Sequence, residues 1–282
     1  MAAAAVIVLA LPAGAPSLTV VETARSVQPG EVVVLTVKTT ASLTGLRVRA
    51  FDRALQSFRE DDHAWRVLVG IDLDVAPGPH VVAIDGETSE GSVAASHTLR
   101  VVRKSFPTRR LTVAEQYVNP PPAVLTRIEE EAGRLNRIWT GATPTRLWKA
   151  AFAAPVPQAA NSAFGSRSVF NGQPRSPHGG ADFPSPAGTP VKAPSDGRVV
   201  LADNLYYTGN TVVIDHGLGL VSLFAHFSRI DVRQGDLVTA GAVVGVVGAT
   251  GRVTGAHLHW TVRADGARVD PLSLLAVLGA AK

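Results

Sequence analysis

The stretch ATGRVTGAHLHWTV, residues 249–262, decides how this chain is read. Two histidines, His257 and His259, stand one residue apart inside an apolar run that follows a glycine-rich loop. In an extended strand, residues i and i+2 point to the same face. By strand geometry they lie roughly 7 Å apart. Two imidazoles so placed are close enough to share a metal site or a reacting centre.

The surrounding sequence is β-like. Across residues 161–275, short apolar runs rich in Val and Ile alternate with turn signals. Asp196-Gly197 and Asp265-Gly266 both read as two-residue hairpin turns, because glycine accepts a positive φ. His216, in VIDHGLG, precedes two glycines that read as another hairpin, and it is expected to be structural. Residues 17–103 carry further alternating runs (EVVVLTVKT, WRVLVGIDL, SHTLRVV), separated by turns such as Pro29-Gly30. Their spacing predicts an Ig-like β-sandwich of about seven strands. His63, His80 and His97 occur there singly, with no spacing pattern, and read as surface residues.

Between these parts, residues 104–160 read as a connector. Val124, Ile128, Leu135, Ile138 and Trp139 recur at helical spacing, which predicts one amphipathic helix near 121–139. Prolines at its start are compatible with a first helical turn. The whole chain is therefore expected to be mainly β, with a single connector helix and an antiparallel C-terminal part.

Composition narrows the chemistry. The 282 residues contain no cysteine, which excludes disulfides, thiolate metal sites and cysteine nucleophiles. The net charge of +4 suits an anionic partner, but no dense Lys/Arg run supports nucleic-acid binding. Residues 1–16 combine a short apolar run with the small-residue triplet Ala13-Gly14-Ala15, as in an export leader. That run is too short to span a bilayer, and no other stretch is long and apolar enough.

The remaining C-terminal histidines complete a pattern. His178 and Asp182 have the spacing H-x3-D, with Gly179 and Gly180 allowing the backbone to bend between them. His226 ends the apolar run LVSLFAH. H-x3-D, then A-H-x-S, then H-x-H, joined by VRQGDLVTAGAVVGVVGATGRVTG, resembles the M23 family of zinc metallopeptidases, the LytM or lysostaphin type. The resemblance covers residues 161–275 and leaves the sandwich and the helix outside it.

That resemblance implies roles. His178, Asp182 and His259 correspond to the family's three zinc ligands, and His226 and His257 to its two catalytic histidines. Two imidazoles and a carboxylate suit one Zn²⁺ ion with a fourth position open to water. The sequence offers no H-E-x-x-H helix, so a glutamate base of that type is absent. The implied substrate is the peptide portion of bacterial peptidoglycan, and the implied location is periplasmic or extracellular. Tyr206, Tyr207 and Asn210 lie close enough in sequence to line a groove, although hairpin packing and capping is the preferred account of them. Phe224 stands where relatives often carry tyrosine. Two competing readings are weaker. A non-catalytic LytM-like module that binds wall or activates an amidase would have lost ligands, and none is missing here. A lipoyl-type carrier would need a lysine at its hairpin tip.

Overall fold

The structure, a computed structural model, describes residues 16–280 except residues 90, 142, 162 and 163. The expected leader, residues 1–16, lies outside the described residues but for Pro16. The protein is mainly β. Among the described residues, no helix is long and apolar enough to cross a membrane.

Eight strands form the N-terminal part: β1 (Leu18–Ala24), β2 (Val32–Thr39), β3 (Gly45–Ala50), β4 (Arg53–Leu55), β5 (Ser57–Asp61), β6 (Ala64–Gly70), β7 (Gly78–Thr88) and β8 (Gly91–Val101). They make two antiparallel sheets, ordered β1-β2-β6-β5 and β4-β3-β7-β8. Val33, Leu35, Val67 and Val69 from one sheet share a core with Val48, Ile84 and Leu99 from the other. The short strands β4 and β5 bring the count to eight, one more than expected. They arise because the chain changes sheets at Gln56, whose backbone N–H donates to the Asp265 carboxylate at 3.1 Å.

β2 explains its own composition. A strand half exposed to water alternates apolar and polar residues, whereas one covered on both faces can be apolar throughout. Val33 and Leu35 enter the sandwich core, while Val32 and Val34 enter a second core shared with the C-terminal part. β6 divides the same way, with Leu68 facing the second core. At Gly70 the two parts meet so closely that a Cβ would lie 2.8 Å from the Ala267 Cβ. Polar groups seal the seam. Glu31 is fully buried and accepts from Arg25 at 2.7 Å, and the same guanidinium reaches Asp270 at 2.7 Å.

The segment expected as a connector takes part in the fold. Its strand β9 (Thr108–Leu111) adds in parallel to β10 (Arg167–Phe170), which also pairs with β11 (Gln173–Arg175). Its helix α1 (Leu125–Thr140) follows a single 3₁₀ turn at Pro122–Val124, so the helix proper starts later than the spacing predicts. Leu135, Ile138 and Trp139 pack on Leu201, Val213 and Leu223, covering one face of the main sheet. Beyond α1, Trp148, Phe152 and Val156 are buried in the core on the opposite face, although their stretch lacks regular structure.

The main sheet is built from β12 (Gly180–Phe183), β13 (Pro190–Lys192), β14 (Gly197–Leu205), β15 (Gly209–Gly217), β16 (Leu220–Ile230), β17 (Leu237–Val238), β18 (Val243–Val247), β19 (Leu258–Ala264) and β20 (Ala267–Val269). Its central order is β12-β19-β16-β15-β14-β17, with β18 on β16 and β13, and β20 on β19. The Asp265-Gly266 hairpin forms as expected, with Ala264 opposite Ala267 and both turn residues at positive φ. The Asp196-Gly197 hairpin does not form. β13 pairs with β18 and β14 pairs with β15 and β17, so this dipeptide is a bend between strands. The Asp196 carboxylate fixes the bend by accepting from the backbone N–H groups of Lys149 and Ala240, each at 3.0 Å.

The chain closes with α2 (Pro271–Leu278), a helix that the alternating pattern did not reveal. Its start signals are in the sequence: Asp270 caps it by accepting from the Leu272 N–H at 3.0 Å, and proline fills the first position.

Candidate metal centre

Strand register brings the candidate residues together. β19 lies between β12 and β16. Asp182 stands directly opposite His259 in one pairing, and Ala225 opposite His259 in the other. Side chains of directly opposed residues share a face, with Cβ atoms about 5 Å apart. His178 arrives from the loop before β12, anchored by its backbone N–H to the Ser166 carbonyl at 2.9 Å.

His226 needs a further device. It follows Ala225, so regular alternation would turn its ring to the opposite face of the sheet. Its φ is +68°, and the register with the neighbouring strands shifts on either side of it. Such an irregularity re-aims a side chain. The His226 ring lies 4.9 Å from that of His257 and 5.9 Å from that of His259. His257 sits just before β19 and pairs with Gly248 through an isolated bridge.

Three donor atoms converge. The His178 Nε2 is 2.9 Å from the Asp182 Oδ1 and 3.1 Å from the His259 Nδ1, and the His259 Nδ1 is 2.9 Å from the Asp182 Oδ1. Tetrahedral zinc with metal–ligand bonds near 2.0–2.1 Å would space its ligand atoms about 3.3 Å apart. The donor set, two imidazole nitrogens and one carboxylate oxygen, is one that zinc takes. The residues present therefore fit the ion. Two of the three are also held from behind. The His259 Nε2 is 2.9 Å from the Thr261 hydroxyl, and Arg109 donates to the other Asp182 oxygen at 3.2 Å. Supports of this kind fix ligand orientation.

Burial would raise the Asp182 carboxyl, but hydrogen bonds with His178 and His259 outweigh it and hold the group well below the usual carboxylate range. Burial lowers the His259 imidazole. Burial, with His259 and His257 nearby, pushes His226 down to about 3.

The two remaining histidines are oriented by one loop. The His226 Nδ1 donates to the Thr250 carbonyl at 2.8 Å, and the His257 Nδ1 to the Gly255 carbonyl at 2.9 Å. A carbonyl only accepts, so each neutral ring carries its proton on Nδ1 and leaves Nε2 bare. The His257 Nε2 lies 3.8 Å from the Asp182 Oδ1, so it faces the same centre. All five residues line one cleft.

Other sequence candidates separate from it. His216 is fully buried, donating from Nδ1 to the Asp196 carbonyl at 2.8 Å, with its Nε2 2.9 Å from the Ser222 hydroxyl. It is a structural residue. Phe224 is fully buried and stacked on Trp260, so it faces the core and not the cleft. Tyr207 lines the cleft. Tyr206 instead donates its hydroxyl to the Gln116 carbonyl at 2.6 Å, and Asn210 donates to the Phe227 carbonyl at 3.0 Å. Arg109 and Arg252 also line the cleft, and the sequence offered no spacing signal for either.

Residues 176–271 match peptidase family M23. The peptidoglycan DD-endopeptidase ShyA of Vibrio cholerae is 45% identical over 96 residues, which is 34% of this chain and 22% of ShyA. The DD-carboxypeptidase/endopeptidase Mpg of Neisseria meningitidis is 43% identical over 97 residues, again 34% of this chain and 22% of that protein. The match thus spans about a fifth of the length of these curated relatives. A crystal structure of a Pseudomonas aeruginosa chain described as a peptidase M23 is similar over far more of the molecule. It is 32% identical with a TM-score of 0.68, covering 89% of this chain and 96% of that one.

Proposed function

Because the chain belongs to peptidase family M23, we propose that it is a zinc-dependent endopeptidase acting on the cross-linked peptides of bacterial peptidoglycan, outside the cytoplasm. The observation that carries this reading is the convergence of the His178 Nε2, Asp182 Oδ1 and His259 Nδ1 beside two further histidines that line the same cleft, each with its Nδ1 held by a loop carbonyl. The names of the similar Vibrio and Neisseria proteins support a bond between D-residues as the one cut.

His178, Asp182 and His259 would hold the ion, and Arg109 and Thr261 would keep two of those ligands in place. When bound, zinc supplies Lewis acidity for a scissile carbonyl and acidifies a coordinated water. His226 and His257 do the proton work. A bare imidazole nitrogen accepts a proton from attacking water and, once charged, donates to the developing oxyanion or to the leaving amine. The carbonyls of Thr250 and Gly255 keep both rings in the tautomer that can do this. Neither ring needs to reorient between accepting and donating, because both events use the same atom.

The test combines metal content with turnover of purified sacculi. His259→Ala is expected to lose both zinc and activity. His257→Ala is expected to keep zinc near one equivalent and lose activity. Wild-type protein that holds zinc but releases no peptide fragments would overturn the assignment, and normal turnover by His257→Ala would overturn the division of roles.

A further inference from the structure

We infer that Arg252, clamped between Phe170 and Tyr207, is a subsite for a free carboxylate on a residue flanking the scissile bond. This rests on the peptidase reading above and narrows it to substrates that are anionic next to the cut. The position is the first ground. Arg252 lies in the loop between Thr250 and Gly255, whose carbonyls orient His226 and His257, and it lines the same cleft. A ligand group held there is held beside the proton-transferring rings.

The second ground is how the guanidinium is presented. Its Cζ lies 4.8 Å from the Phe170 ring centroid and 4.7 Å from the Tyr207 centroid. Two rings packed against a planar cation restrict its motion, and the N–H groups they do not cover are its donor surface. That edge matches the two oxygens of a carboxylate.

The third ground is that no described residue pairs with it. Among the described residues, the Arg252 side chain has no ion pair and donates no hydrogen bond. Burial lowers its basicity, Tyr207 opposes that in part, and the charged neighbour Arg175 adds to it. Asp182 is the single acidic residue among the described residues lining the cleft. Both its oxygens are engaged, one by His178 and His259 and the other by Arg109. A half-buried cation with no internal partner is costly to keep. An incoming anion would offset that cost. Leu111, Val113 and Pro184 supply apolar walls for the rest of a peptide.

The experiment compares matched cross-linked peptides. One has free carboxylates on both residues flanking the scissile bond, and two are amidated at one flank each. Zinc-loaded wild type should cleave the free form about tenfold to a hundredfold better than one of the amidated forms, the range for a charge-assisted hydrogen bond. The difference should appear mainly in KM. Arg252→Gln should lose the preference by raising KM for the free form, with kcat little changed, and Arg252→Lys should keep part of it. Equal cleavage of all three peptides by wild type, or a preference that persists in Arg252→Gln, overturns the inference. Equilibrium binding of the same peptides to His257→Ala reads the same ratio without turnover. Should wild type cleave none of them, that binding ratio still decides the subsite while the catalytic reading fails separately. Melting curves of the variants show whether the rings still hold the loop.

Discussion

Arg109 shows what a single residue can contribute from a distance. It is separated from Asp182 by 73 positions, yet it donates to the carboxylate oxygen that does not face His178 and His259. Removing a support behind a metal ligand typically costs ten- to a hundredfold in metal affinity. Arg109→Gln is therefore expected to weaken zinc binding by about that factor in chelator competition while leaving the fold intact. Unchanged affinity would reduce the contact to surface pairing. The five histidine and aspartate candidates were legible in the sequence because H-x3-D, A-H-x-S and H-x-H occur in an order that resembles the M23 family. Arg109 was not, since only the parallel pairing of β9 with β10 brings it near. His216 carries the clearest pH signature outside the centre, because burial pushes it down to about 4. Its neutral form is favoured in the fold, so the unfolded chain takes up the extra proton. Stability is full above about pH 6.5 and falls as pH drops towards 4, by up to about 3 kcal/mol. His216→Asn should start less stable at pH 7 but show a flatter decline over that window in urea titrations. Parallel slopes would contradict this.

Elements were legible where one face met water and obscure where none did. α1 announced itself through its apolar spacing and lies close to where that spacing put it. The Asp196-Gly197 turn misled because the dipeptide is equally suited to a bend, and only the pairing of β13 with β18 decides between them. The loop from Thr250 to Gly255 is the element on which catalysis should be most sensitive. Gly251 holds φ +75°, and a Cβ there would lie 2.4 Å from the Gly209 backbone nitrogen. Gly251→Ala must therefore push the loop off β15 and shift the Thr250 carbonyl that orients His226. The expected result is a loss of activity of at least tenfold with zinc retained, because none of the three proposed ligands lies in the loop. Full activity would show that the loop adapts without moving that carbonyl.

At the scale of the whole molecule, the two sheets of the N-terminal part and the main sheet are joined by burial. Val32, Val34 and Leu68 lie in one core with Trp260, Val269 and Leu274. Contacts of this kind make the parts unfold together, since exposing either strips apolar surface from the other. Calorimetry is expected to give a single transition whose van't Hoff and calorimetric enthalpies agree. Two resolved transitions would mean that the seam is weaker than its packing implies. The sequence hinted at this arrangement only through the unbroken apolar run of β2, which on its own could equally belong to an isolated sandwich.

The doubly covered β2 also bears on how the protein can be handled in the laboratory. A recombinant fragment begun at residue 161 would keep all five cleft histidine and aspartate groups but would bare the greasy patch around Ala267, Val269 and Leu274. Such a patch invites self-association. Crystallographers and enzymologists who trim the protein to its chemistry should thus expect a precipitate before they expect a catalyst.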